Sequence, residues 1–247
     1  MMRHWAIAAA ILASVAALPA GAQTYGDTLV ASIAAHHPGV TGIRIDATGK
    51  DGKPIRVVWG TPGQPASSAP LRTALGDVIG TIAVTARAPI DAEPIAWQAA
   101  RRIYVADNLA EADPFVARAV RSRRGQALID ALIDANPDLV TLAMHVALPG
   151  ADNIIIASSF GRIGKLADKD DADVIASGTI RREVTNGGHR LAVELPMLDA
   201  RRRVIGALST SFAMTGPDDE AHAFARAVAV RDALARRTPS LAALAGQ

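Results

Sequence analysis

The stretch Pro196–Phe212, PMLDARRRVIGALSTSF, repeats an earlier one, Pro70–Ala86, PLRTALGDVIGTIAVTA, without a gap. Both begin with proline and share Val-Ile-Gly, followed by the apolar alternation typical of a strand with one buried face. Polar residues precede Val-Ile-Gly in each copy, so each stretch predicts a β-hairpin. Because one such hairpin cannot bury its apolar face alone, the repeat predicts two small antiparallel sheets of one design.

A second pair of matching stretches lies upstream in each copy. Leu29–Ile43 aligns with Leu128–Leu142, and in both an apolar helix ends at a proline, Pro38 or Pro137, before a strand begins. The two pairs are offset by 99 and 126 residues, so the later copy holds 27 extra residues between its matched stretches. Two matches in the same order indicate an internal duplication whose first copy is reduced.

The predicted fold class is α+β, with tandem PAS-like antiparallel β-sheet modules, flanking helices and a reduced first copy. The second copy is predicted to run helix, two strands, a polar helical excursion over Phe160–Ala176, three strands and a C-terminal helix over Glu220–Arg237. In the first copy only the loop Thr61–Pro70 stands where the excursion and third strand would be. The predicted divisions are a leader over 1–22, a reduced module over 23–88, a helical connector over 89–124 and a complete module over 125–247. Trp97 of the connector is expected to pack against the sheets.

Composition narrows the class of protein. The chain is 50% hydrophobic and 20% charged, which is typical of a globular protein. Basic and acidic residues nearly balance, and no basic patch interleaved with aromatic residues is apparent, so nucleic acid is not an expected partner. The chain has no cysteine. This excludes thiolate metal sites, c-type haem attachment and cysteine nucleophiles.

The first 22 residues, MMRHWAIAAAILASVAALPAGA, have the pattern of a secretory signal peptide. A short basic start leads into an apolar run, and Ala20-Gly21-Ala22 forms the small-x-small site, with cleavage expected after Ala22. The alternative is a retained membrane anchor, although the apolar run is shorter than the ~20 residues that a spanning helix needs. We therefore expect a soluble periplasmic protein of 225 residues with no transmembrane segment after cleavage.

The second copy resembles the PDC or Cache class of PAS-like extracellular sensor domains. The resemblance is carried by IIIASSFGRIG after the second strand and by ELPMLDARRRVIGALSTSF across the closing hairpin, and it covers roughly Gly125 to Leu244. As a whole the chain resembles exported PDC-sensor-domain proteins. The chain departs from the pattern at Arg201-Arg202-Arg203, which replaces the usual turn glycine.

The resemblance implies a small ligand held between the sheet and the excursion Phe160–Ala176. His145, a polar residue in the middle of an apolar strand, needs a partner and would line that pocket. The excursion would form a lid, where Arg162 or Lys165 could meet an anionic ligand. Ser158 lies in the ASS stretch of the resemblance, and Arg181 would suit a carboxylate if it points inward.

Other residue patterns favour structural over chemical roles. His36-His37 at a helix end is predicted to cap the last carbonyls, with metal or haem ligation as the alternative. The acidic run Asp168–Asp173 lacks the glycine and terminal glutamate of a calcium-binding loop, and predicts a solvated helix start. Gly161–Lys165 lacks the glycine spacing of a phosphate-binding loop. No catalytic motif is recognisable, so we expect no enzyme, no catalytic residues, no metal and no cofactor.

The leading hypothesis is therefore a non-catalytic, sensor-type protein that binds a small molecule. Because the chain has no output domain of its own, ligand occupancy would be passed on through a separate envelope protein. The first alternative is an envelope adaptor that binds a protein and no small ligand. The second is a periplasmic carrier of haem or metal that uses its histidines.

Overall fold

The computed structural model describes residues 23–115, 120–147 and 152–245, with the backbone alone at Ala245. The leader and the tip of the first hairpin of the second copy lie outside these ranges. The N-terminal part holds two helices and a four-stranded antiparallel sheet in the order β2-β1-β4-β3. Its elements are α1 (Tyr25–His36), β1 (Val40–Thr48), β2 (Pro54–Gly60), β3 (Ser67–Arg72), β4 (Val78–Ala86) and α2 (Glu93–Ala100).

The C-terminal part holds four helices and a five-stranded antiparallel sheet in the order β6-β5-β9-β8-β7. Its elements are α3 (Arg123–Ala135), β5 (Leu139–Ala147), β6 (Asn153–Ser158), α4 (Lys169–Ser177), β7 (Arg181–Thr185), β8 (Arg190–Leu198), β9 (Val204–Ala213), α5 (Glu220–Arg237) and α6 (Leu241–Ala245). None of the helices in the described part of the chain is long and apolar enough to cross a membrane.

The two sheets have one design, which confirms the predicted fold class. The order β2-β1-β4-β3 becomes β6-β5-β9-β8 in the second sheet, to which β7 is added at the edge. Even an irregularity recurs: the pairing of the closing hairpin shifts between Leu71 and Arg72 in the first sheet and between Met197 and Leu198 in the second. These positions are 126 residues apart, the same offset as the sequence repeat.

Each sheet has a separate apolar core. The first is built from α1, α2 and the inner face of the four-stranded sheet, with Ile33, Ile43 and Ile82 almost fully buried. The second lies between the larger sheet and the helices α3 and α5, around Leu208 and Phe212. The alternation along each strand decides which side chains face these helices.

The connector differs from the predicted helix. Its described residues form α2, a short 3-10 helix over Ala106–Ala110 and the first two residues of α3, and the others are irregular. Trp97, which the sequence suggested would pack against the sheets, is 57% exposed. The loop expected over Thr61–Pro70 is shorter as well, because β3 already begins at Ser67.

Polar contacts join the two parts. The Tyr25 hydroxyl at the start of α1 donates to the backbone carbonyls of Arg102 and Ser159, at 2.8 and 3.1 Å respectively. Burial raises the pKa of Tyr25 far above its ordinary value, so this phenol stays a donor. The Arg101 guanidinium donates to three carbonyls at the C-terminal end of α3, among them Asn136 at 2.7 Å. Such carbonyls have no partner within the helix, so Arg101 caps α3 from the other part.

Candidate functional site

The two faces of the five-stranded sheet differ in chemistry. One face carries the apolar core described above. The other is covered by α4 and the segment 160–167, and its apolar part is small, formed by Ala143, Ile155 and Ile163. Beside this patch the strands present a row of polar residues: Ser209 on β9 pairs with Glu194 on β8, which pairs with Arg181 on β7. The polar row makes this face the candidate site.

The start of helix α4 brings the carboxylates of Asp168, Asp170 and Asp171 to the polar row. Asp168 is its N-cap and accepts the backbone N–H groups of Asp170 and Asp171, while the Asp171 carboxylate accepts the N–H of Asp168. This reciprocal capping box confirms the predicted helix start. Gly178 ends the helix in the left-handed conformation, with φ of 69°, that favours glycine.

Asp171 is not solvated as the sequence suggested, because α4 turns it down onto the sheet. It is only 2% exposed, and it accepts a hydrogen bond from the Ser209 hydroxyl at 3.0 Å. Its Oδ2 lies 2.9 Å from Nδ1 of His145, a residue 7% exposed. That contact has ion-pair distance but not the alignment of a hydrogen bond. Burial pushes the pKa of Asp171 up, but His145 and Ser209 outweigh it, so this pKa lies below its ordinary value.

Glu194 completes the cluster. Its Oε2 is buried and has no hydrogen-bond partner among the described residues. Carboxylate oxygens of Asp168, Asp171 and Glu194 all lie within 4.8 Å of one another. Burial raises the pKa of Glu194 to about 7, and the charges of Asp171 and Asp168 add to the effect. We call Asp168, Asp171, Glu194, Ser209 and His145 the acidic cluster.

A small cavity opens beside the acidic cluster at the edge of the sheet. Its volume is about 70 Å³, and Asp170, Arg181, Glu183 and Glu194 are among the residues that line it. Elsewhere the excursion packs directly on the sheet, with Ile163 and Val174 buried. The enclosed pocket that the resemblance implied is therefore mostly filled, and the remaining cavity has room for a few waters or one small polar group.

Arg181 and Arg182 lie on opposite faces of β7, as the alternation predicted. Arg181 turns toward α4, with Nη1 2.7 Å from Asp170 Oδ1. Arg182 turns toward α5, where it contacts Glu220 and stacks over the Phe224 ring. Both remain about half exposed because β7 is an edge strand.

The other three predicted site residues lie away from this cluster. Ser158 is buried and lines a cavity of about 100 Å³ between α1 and α3, which Arg102 and Arg121 also line. Arg162 lies in the left-handed region, with φ of 66°, and makes a two-pronged ion pair with Glu111 of the connector at 3.0 Å. Lys165 is exposed. The structure thus brings His145 and Arg181 to one face and separates Ser158, Arg162 and Lys165 from it.

The paired histidines behave as structural residues. Nδ1 of His36 lies 2.8 Å from the Ser32 carbonyl within the last turns of α1, and Nε2 of His37 lies 2.9 Å from the Gln98 side chain on α2. In the described ranges, the only set of three acidic or histidine side chains close enough to share an ion is Asp168, Asp171 and Glu194. Neither His36 nor His37 belongs to it.

The raised pKa of Glu194 gives the first testable prediction. Because the folded protein holds this proton more tightly than the unfolded chain, it is stabilised at low pH, and that stabilisation is lost as pH rises through about 7. Between about pH 5 and about pH 8 the loss should be roughly 1–2 kcal/mol, allowing for solvent screening. Urea unfolding of Glu194→Gln should lack this slope. Glu183→Gln, an exposed residue of the neighbouring strand, should keep it; equal slopes in both variants would contradict the assignment.

Comparison with solved structures gives weak likeness. No protein-family model matches the chain, and no curated protein matches it either. Part of the chain is similar in structure to the crystal structure of HmgR from Pseudomonas aeruginosa, with 14% identity and a TM-score of 0.32. The likeness covers 48% of this chain and 67% of HmgR. At this score it says nothing about what this chain binds.

Proposed function

We propose that this chain is a non-catalytic, sensor-type binding protein whose site is the acidic cluster beneath α4. The carrying observation is that two polar groups there are buried without an aligned partner, Nδ1 of His145 and Oε2 of Glu194. Buried polar groups are almost always satisfied, so unsatisfied ones on a covered sheet face point to a missing ligand atom. The raised pKa of Glu194 gives independent support, because strongly perturbed pKa values are common at functional sites.

The charge of the cluster favours a cationic ligand over the anionic one expected from the sequence. Arg181 is already paired with Asp170, and Arg182 with Glu220 on the far face. This leaves three carboxylates close together, and Arg162 and Lys165, on which the anion expectation depended, lie elsewhere. Since the cavity is small, it suits the ammonium end of an amine whose remainder lies over the exposed strand β7.

A thermal-shift panel on the chain from Gln23 onward tests this proposal. Methylamine, ethanolamine and spermidine should raise Tm, whereas acetate and succinate should not. Ligand at about 100 times its Kd stabilises by about 2.7 kcal/mol, which is roughly 5–10 °C for a chain of this size. The shift should grow as pH rises through about 7, because Glu194 must lose its proton to attract a cation.

The matched variants are Glu194→Gln, which should lose the shift, and Glu93→Gln, an exposed glutamate on α2 that should keep it. A shift with acids alone would contradict the cationic assignment. A shift with Ca²⁺ or Mg²⁺ but no amine would replace the amine with a metal ion. Native mass spectrometry of the protein from its own envelope then reports the natural ligand and any stoichiometric partner.

The biological setting belongs to the same proposal. The leader Met1–Ala22 would export the chain, and ligand occupancy would be passed on through a separate envelope protein. The position of α4 supports such a role. It touches both the acidic cluster and Arg181 of the edge strand, so ligand bound at the cluster changes the charge beside an exposed sheet edge.

A further inference from the structure

A second charged region lies at one end of the five-stranded sheet, where the β8–β9 turn meets the C-terminal end of α5. The Ala200 N–H donates to the Thr238 carbonyl at 2.8 Å, and the Arg124 guanidinium of α3 donates to the neighbouring Arg237 carbonyl at 3.1 Å. Three elements thus converge on one helix end. The turn's Arg203 is paired with Asp199 at 2.7 Å. We call the other exposed arginines of these elements the basic end: Arg123, Arg124, Arg201, Arg202, Arg236 and Arg237.

The basic end concentrates positive charge. Its six arginines compare with a formal net charge of +2 for the whole chain. Within the described ranges, Arg202 is the one of the six with a carboxylate partner, Asp232 at 2.9 Å. Asp232 also contacts Arg231, so a further arginine adjoins the group. The residues outside the basic end carry a formal net charge of −4.

Three of these arginines, at two sites, stand where local stability disfavours them. Arg123 and Arg124 occupy the first turn of α3, at the positive end of the helix dipole, and no acidic residue offsets them there. Arg202 has φ of 64°, a left-handed conformation in which an arginine is strained and a glycine is not. Helix capping explains Arg236 and Arg237 but explains neither of these positions. Arginines that lower local stability at two converging sites indicate a partner that requires their positive charge.

The shape of the region selects the kind of partner. The arginines come from separate elements and are exposed, and they line none of the cavities described above. Such a spread suits a charged surface better than an enclosed small ligand. Guanidinium groups bind phosphate with two parallel hydrogen bonds. Beside them Val204, 43% exposed, offers an aliphatic contact.

We infer that the basic end docks on an anionic phospholipid surface, with the arginines on the lipid phosphates. The inference is independent of the ligand proposed for the acidic cluster. Each arginine near an anionic bilayer contributes enough that removing three should weaken binding roughly 100-fold. Because the attraction is electrostatic, it should be lost in high salt.

Vesicle co-sedimentation tests the inference with the chain from Gln23 onward, which lacks the apolar leader. The protein should pellet with vesicles of phosphatidylcholine plus phosphatidylglycerol in low salt, and not with phosphatidylcholine alone. The variant Arg123→Gln, Arg201→Gln, Arg236→Gln should lose this binding. The control variant Arg56→Gln, Arg72→Gln, Arg87→Gln removes the same charge from exposed positions of the first part and should retain it.

Three outcomes would overturn the inference. The first is no binding to anionic vesicles in low salt. The second is equal weakening in both triple variants, which would mean that net charge and not the basic end is responsible. The third is binding to soluble polyglutamate but not to vesicles, which would assign the basic end to an acidic protein. Circular dichroism of both variants shows that each is folded.

Discussion

Replacing Gly206 by alanine should destabilise the second sheet by at least about 3 kcal/mol. A Cβ at this position would lie closer than 3.0 Å to the backbone carbonyl oxygen of His145 on the neighbouring strand β5, and a carbonyl cannot move aside as a flexible side chain can. Glycine within a strand often marks such a close approach of another backbone. The loss should appear as a lower urea midpoint of the change in far-UV circular dichroism.

The first copy provides a matched variant of the same experiment. Gly80 stands 126 residues earlier, and its added Cβ would meet the carbonyl oxygen of Asp46, which is equivalent to His145. Trp59 on β2 and Trp97 on α2 report on this part by fluorescence. Gly80→Ala should therefore move the fluorescence transition, and Gly206→Ala should leave it where it is.

The control is Gly39→Ala, since a Cβ there meets nothing within 4 Å. Its effect should stay within about 0.5 kcal/mol. A Gly206→Ala protein as stable as this control would contradict the close approach of β5 and β9. If confirmed, the pair of glycines explains why Val-Ile-Gly is the best-preserved part of the repeat: the third residue is dictated by backbone contact in both copies.

Such local determinants also explain why the sheets could be predicted from the sequence. Alternation, the turn residues and the repeated glycine are local signals, and each acts within one hairpin. The connector was predicted less well, because Trp97 lies on an apolar helix but on its exposed side. Periodicity shows which residues share a face, and tertiary packing decides which face is covered.

The candidate site was predictable only in part for a related reason. His145 was recognised as a polar residue in an apolar strand, and Glu194 gives the same signal within LAVELPML, where it was missed. Asp171 gave no such signal, because an acidic residue in a run of aspartates is typical of a solvated helix start. Its burial depends on where α4 docks, which no local pattern encodes. The contact of Arg162 with Glu111 was not predictable either, since it depends on a left-handed backbone at Arg162, in a loop with Gly161 and Gly164.

Replacing Asp171 by alanine should cost about 2–4 kcal/mol, because it leaves buried polar groups without their partner and removes part of a helix cap. Three contacts end at this carboxylate. Nδ1 of His145 would stay buried without the carboxylate oxygen beside it, the Ser209 hydroxyl would lose its acceptor, and half of the α4 capping box would disappear. Asp173→Ala, on the same helix but about half exposed, should cost less than about 1 kcal/mol when both are measured by urea unfolding.

Asp171→Asn separates charge from shape and links this residue to Glu194. The pKa of Asp171 is lowered, so its charge stabilises the fold above the ordinary carboxyl range and stops doing so as pH falls below about 4. The difference between parent and Asp171→Asn should therefore vanish in acid. Because the Asp171 charge helps to raise the pKa of Glu194, the same variant should also move the stability slope near pH 7 toward lower pH. Asp171→Asn and Glu194→Gln should then be non-additive. Additive effects would mean that the two carboxylates do not interact, and the acidic cluster would not be a single site.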